Sequence, residues 1–140
     1  MRLPLLLLLA LATLAAAQKT AETSTVADLL KDGTKFDKKV VRVTGKVQNL
    51  QEKQSRAKND YFTFELLDET KTINVFGFGK VKGLKDGVKV EATGRFDVLK
   101  KMPSFEVKNQ LDVSIPRKRD GSTETTQTAP EIKFGIKILS

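Results

Sequence analysis

The sequence predicts an all-β protein, five short strands between Val40 and Val113 punctuated like a small Greek-key barrel. Three observations carry this expectation. Apolar and polar residues alternate with a period of two in separate runs, as half-buried strands require. Polar or glycine-bearing stretches of turn composition divide the runs. Gly45 and Gly94 stand inside two of them, where glycine is locally costly and marks a bulge or a sharp bend that lets a short sheet curl.

The first strand alternates Val41, Val43, Gly45 and Val47 with Arg42, Thr44, Lys46 and Gln48, one set on each face of an extended chain. In the second, Tyr61 to Leu67, residues Phe62, Phe64 and Leu66 share the inner face. Asp68 to Lys71 turns the chain into a third strand, Thr72 to Phe78, with Ile73 and Val75 inward. Gly87 opens the fourth, Val88 to Phe96, where Val88, Val90, Ala92, Gly94 and Phe96 alternate with Lys89, Glu91, Thr93 and Arg95. The fifth, Phe105 to Ile115, turns Phe105, Val107, Leu111, Val113 and Ile115 inward together with one polar residue, Asn109. Ahead of the strands, Thr25 is placed to cap a short N-terminal helix, with Val26, Leu29 and Leu30 as its apolar face. Gly33 is expected to end it, and Phe36 to pack with Leu29 and Leu30 as a lid on the barrel.

The order VRVTGKV, a basic loop, YFTFELLDETKTINVFGF and then GVKVEATGRFDV resembles the tRNA-anticodon-type OB-fold family. There an aromatic strand ending in Leu-x-Asp precedes an Ile-x-Val strand and a glycine-opened Val-x-Val strand. The matching positions are Phe64, Leu66, Asp68, Ile73, Val75, Gly87, Val88, Val90 and Gly94, and the resemblance covers about half of the chain. It implies a five-stranded OB-fold and a nucleic-acid-binding relative. Because the matched positions build the barrel, they say more about fold than about function. The connection Gly79 to Asp86 is too short for the helix many OB-folds carry there.

Outside residues 25–115, which are read as one domain, the ends have their own character. Arg2, the apolar run Leu3 to Leu14 and the small residues Ala15 to Ala17 form a secretory signal peptide at 1–17, cleaved near Ala17. Its apolar core is shorter than the roughly 20 residues of a membrane span. Gln18 stands where a lipoprotein places its cysteine, and the chain has no Cys, so neither a lipid anchor nor a disulfide is expected. The exported chain is expected to be periplasmic or secreted. Residues 18–24 read as a polar leader and residues 116–130 as a basic, polar linker containing Arg117, Lys118 and Arg119. Residues 131–140 alternate Ile132, Phe134, Ile136 and Ile138 with lysines and glycine. This is an amphipathic strand, expected to dock on the chain's own barrel because an apolar strand left free invites aggregation.

The 140 residues include 25 Lys and Arg against 17 Asp and Glu, a formal charge of +8. No His is available for general base or metal chemistry, no Cys for thiolate chemistry, and no phosphate-cradling glycine loop or nucleophile elbow occurs. A non-enzymatic binding module without cofactor or metal is therefore expected. In OB-folds two loops flank the ligand groove. Here these are Gln51 to Asp60, bearing Lys53, Arg56 and Lys58, and Leu99 to Ser104, bearing Lys100 and Lys101. With Phe62 and Phe64 inward, Tyr61 and Phe76 or Phe78 are left outside to stack on bases, and Arg95 lies on the polar face of its strand. A one-residue slip in register would exchange the faces, and then these rings would be core. Two ligand classes stay open: single-stranded nucleic acid or another polyanion, and an envelope protein or oligosaccharide held by the groove or by a strand edge.

Overall fold

The computed structural model describes residues 20–114 and 133–139. The leader at 1–17, the linker at 116–130 and Ile115 lie outside the described residues. Among the described residues seven strands are formed: β1 (Glu22–Ser24), β2 (Val40–Gln54), β3 (Asp60–Asp68), β4 (Lys71–Phe78), β5 (Lys89–Lys101), β6 (Glu106–Asp112) and β7 (Gly135–Ile138). Two short helices, α1 (Val26–Lys31) and α2 (Gly33–Phe36), precede β2. Among the described residues no helix is long and apolar enough to cross a membrane.

All seven strands join one sheet in the order β1-β2-β3-β4-β6-β5-β7, and β2 also pairs with β5. That extra pairing closes β2, β3, β4, β6 and β5 into a ring. Every contact in the ring is antiparallel except β4 with β6, which runs parallel from Asn74↔Gln110 to Phe76↔Asp112.

Closure depends on two long strands that change partners along their length. β2 pairs with β5 from Val40 to Lys46 and with β3 from Lys46 to Gln54. β5 pairs with β2 from Lys89 to Arg95 and with β6 from Arg95 to Lys101. A glycine stands beside each switch. A Cβ on Gly45 would sit 2.6 Å from the Leu67 carbonyl oxygen, and one on Gly94 would sit 2.1 Å from that of Asp112. Both distances are impossible for a side chain, so these positions are bends of close backbone approach. The bulge lies elsewhere, in the β2 register between Gln48 and Gln51, where Asn49 takes φ +53°.

The ring encloses most of the predicted inward set: Val41, Val43, Val47, Phe62, Phe64, Leu66, Ile73, Val75, Val90, Ala92, Phe96, Leu111 and Val113 are buried, whereas Val107 and Asn109 of the last strand are half-buried. The helices cap this core with Val26, Leu29 and Phe36. Thr25 starts α1 as expected, its Oγ1 accepting the Asp28 N–H at 3.1 Å. Two details differ from expectation. Gly33 does not end α1, which stops at Lys31; it opens α2. Leu30 is exposed, because a six-residue helix buries only Val26 and Leu29 and Phe36 completes the cap.

The expected polar leader also ends in structure. Glu22–Ser24 lies parallel to Val41–Val43 on the edge of β2 that β3 leaves at Lys46, and it satisfies backbone groups that would otherwise stay open. At the other end of the sheet β7 does the same for β5, pairing Val90↔Ile138 through Thr93↔Gly135, with Ile136 and Ile138 packed on the core. Both expected loops are shorter than read. β2 runs on to Gln54 and β5 to Lys101, because each hairpin continues as a paired ribbon. Phe105 is exposed, not inward. It sits in a turn closed by the Met102 N–H donating to its carbonyl, and β6 meets β4 only from Gln110 onward. The connection after β4 holds turns and no helix.

Gly94→Ala is expected to lose about 1–3 kcal/mol of stability, the range for forcing atoms into a packed site. Urea denaturation followed by circular dichroism measures it.

Candidate functional site

Register decides which side chains share the outer face of the ring, since residues opposite one another in a sheet project to the same side. Across β2, β3 and β4 the outward rows are Gln48, Glu65 and Asn74, then Gln51, Thr63 and Phe76, then Lys53, Tyr61 and Phe78. The parallel contact extends the middle row to Asp112 of β6, and β5 adds Arg95. Lys53, Tyr61, Phe76 and Arg95, four of the eight predicted site residues, therefore lie on one face.

Three aromatic rings form the centre of this face. Tyr61 and Phe76 lie 5.8 Å apart between ring centroids, and Phe76 and Phe78 meet edge to face at 5.1 Å. Their neighbours in sequence, Phe62 and Phe64, are both buried and stack within the core at 6.0 Å. Tyr61 and Phe76 are half-buried, and Phe78 is 60% exposed. Large apolar side chains pack easily in cores, so three rings held on a solvent face form an unusual surface.

The tip of the β2–β3 hairpin is organised by Ser55. Its N–H donates to the Asn59 carbonyl (2.9 Å), its carbonyl accepts the Lys58 N–H (2.9 Å), and its Oγ accepts the Asn59 N–H (3.1 Å). Lys58 takes φ +62° in this turn. Arg56 and Lys58 are exposed there, directly beyond Lys53 and Tyr61. Among the described residues Lys53, Arg56 and Lys58 take part in no ion pair, and neither does Lys101.

The other predicted cations are engaged within the fold. Arg95 Nε lies 3.6 Å from Asp97 Oδ2, and Lys100 Nζ lies 3.5 Å from Asp112 Oδ2. Asp112 Oδ1 also accepts the Ser114 N–H (2.9 Å), while Ser114 Oγ accepts the Phe78 N–H (2.9 Å) and so fixes the end of β4. Lys101 belongs to the tip of the β5–β6 hairpin, opposite Glu106.

Sequence reasoning missed the residues that hold Arg95. The Asp97 side chain is 1% exposed, with Lys38 Nζ at 2.6 Å from its Oδ1. The segment after α2 clamps β5 around it. Lys38 N–H donates to the Phe96 carbonyl (2.7 Å), Phe96 N–H to the Lys39 carbonyl (2.9 Å), and Val98 N–H to Asp37 Oδ1 (3.0 Å). In the sequence Asp97 only continues the polar set of its strand, and nothing there announces a buried carboxylate. Among the described residues no cluster of three or more His, Cys, Asp or Glu is placed to hold a metal.

The chain matches no protein-family model and no curated protein.

Phe62→Ala is expected to cost about 3–5 kcal/mol, as for a buried ring, whereas Phe78→Ala is expected to stay within about 0.5 kcal/mol of the parent. Paired urea titrations check both.

Proposed function

We propose that the chain is an exported, non-enzymatic OB-fold module that binds single-stranded nucleic acid or a similar extended polyanion on the outer face of β2, β3 and β4. The observation that carries this is the outward-facing trio of half-buried Tyr61 and Phe76 and exposed Phe78, lying beside the uncompensated cations of the β2–β3 hairpin. Rings stack on bases of any sequence, and a cationic edge tracks phosphates. Lys53, Arg56 and Lys58 supply that edge; Arg95 and Lys100, already paired with carboxylates, contribute less.

The OB reading is supported by the neighbour order β2-β3-β4-β6-β5 and by its one parallel contact, together with the resemblance to the anticodon-type family. Export is supported by the leader-like residues 1–17, and the non-enzymatic reading by a sequence without His or Cys. A second reading, an oligosaccharide partner in the cell envelope, draws on the Gln48, Gln51 and Thr63 side chains around the rings. Amides and hydroxyls beside an aromatic platform suit a sugar as well as a base.

Fluorescence anisotropy of a labelled mixed-sequence oligonucleotide separates the two. A polyanion site gives binding that weakens steeply with salt yet persists at physiological ionic strength. Tyr61→Ala should then cost about 1–3 kcal/mol of binding, and the triple change Lys53→Glu, Arg56→Glu, Lys58→Glu should abolish it while the chain stays folded. Full affinity in that folded triple variant would remove the hairpin from the site. No binding at physiological salt, with saturable binding to a neutral oligosaccharide, would select the second reading.

A further inference from the structure

β5 and β6 do not stop where the ring stops. β2 leaves β5 at Arg95, and β6 meets β4 only over Gln110–Asp112. From Leu99↔Lys108 to Lys101↔Glu106 the two strands form a ribbon with no third strand paired to it among the described residues, steadied at its base by the Asn74 side-chain amide donating to the Lys108 carbonyl (2.9 Å). Such a ribbon is marginal in water unless something covers it.

Its side chains are unusual for a solvated arm. Leu99 is 38% exposed, Met102 41% and Phe105 57%, three of the six large hydrophobic side chains exposed among the described residues. None of the three belongs to the core cluster. Met102, Pro103 and Phe105 occupy the apex, where the Met102 N–H donates to the Phe105 carbonyl at 2.8 Å. Lys101 stands next to the apex and Lys108 two rungs back, neither in an ion pair among the described residues. Lys100, between them, is tied to Asp112, and Glu106 is the one carboxylate on the ribbon.

We infer that the β5–β6 hairpin is a membrane-surface probe, inserting Met102 and Phe105 end-on into the interface of an anionic bilayer while Lys101 and Lys108 meet the headgroups. The ordering carries it: apolar residues at the tip, with Lys101 on the first rung behind it and Lys108 two rungs further back, match the succession of acyl boundary and headgroup layer. The apex side chains are exposed at the end of a two-stranded ribbon, and a lipid interface deforms around such a tip without a preformed pocket. This surface lies on a different hairpin from the aromatic face, and the inference does not rest on the function proposed above.

The chain contains no Trp, so the Phe105→Trp variant of the full chain carries a single reporter at the tip. Its emission is read with vesicles of phosphatidylglycerol and phosphatidylcholine in equal parts and with pure phosphatidylcholine. A shift to shorter wavelength on the mixed vesicles alone is expected. Adding Lys101→Gln and Lys108→Gln should weaken that vesicle affinity about thirtyfold, as the loss of two charges near an anionic surface implies. The Phe78→Trp variant serves as a control and should not respond. Three results would overturn the inference: no shift at position 105 on mixed vesicles, an equal shift on pure phosphatidylcholine, or a shift at position 78 alone. A concentration-dependent shift without vesicles would make the tip a contact between copies of the chain and overturn it too.

Discussion

The close backbone approach at Gly45 and Gly94 is the constraint on which the rest of the structure depends. Each long strand must change neighbours midway, and at that point a carbonyl of the adjoining strand presses against its α-carbon. Only a residue without a Cβ fits. With the switch made, β2 and β5 can pair with each other and also reach β3 and β6, and a single sheet becomes a ring with an inside and an outside. The two edges this geometry leaves open, on the first halves of β2 and β5, are covered by β1 and β7. Chain ends that look peripheral in the sequence are thus part of the same hydrogen-bond network.

Closure also determines the surface. Once Phe62, Phe64, Ile73 and Val75 turn into the ring, alternation forces Tyr61, Phe76 and Phe78 out onto its face. The rings lie on the outer face because their neighbours are buried, and Ser114 and the Ser55 turn fix the strand ends beside the row of Lys53, Tyr61 and Phe78. The buried Asp97 performs a related task for the other long strand. Its contacts with Lys38 and Arg95, and the backbone bonds from Lys38 and Lys39 to Phe96, tie the helical cap to β5 at the level where β5 changes partner. A buried carboxylate is costly to desolvate and is tolerated when cations and a fixed geometry surround it.

Much of this was legible in the sequence because it is written in period-two alternation. The inward sets of β2, β3, β4 and the first half of β5, the N-cap Thr25, the two special glycines and the alternating C-terminal strand are all local patterns. What was missed depends on distant parts of the chain. Phe105 has the right parity for the core but lies beyond the reach of β4, and Leu30 has helical periodicity on a helix too short to use it. The register shift near Asn49 and the pairing of Glu22–Ser24 with β2 depend on edges that exist only after the ring closes. Of the site, alternation turned Tyr61, Arg95 and one of Phe76 and Phe78 outward, whereas Lys53, read as part of a loop, joins their face only because β2 runs on to Gln54. That Arg95 and Lys100 already have carboxylate partners became visible only in three dimensions.

The most direct test of the outer face is a two-dimensional amide spectrum of the isotope-labelled chain, titrated with oligothymidylate at physiological salt. Shifts concentrated at Gln51, Lys53, Tyr61, Thr63, Phe76 and Phe78 are expected. Shifts scattered over lysines on every strand, or concentrated on the β5–β6 ribbon with the aromatic rows unmoved, would contradict a binding site built on those three rings.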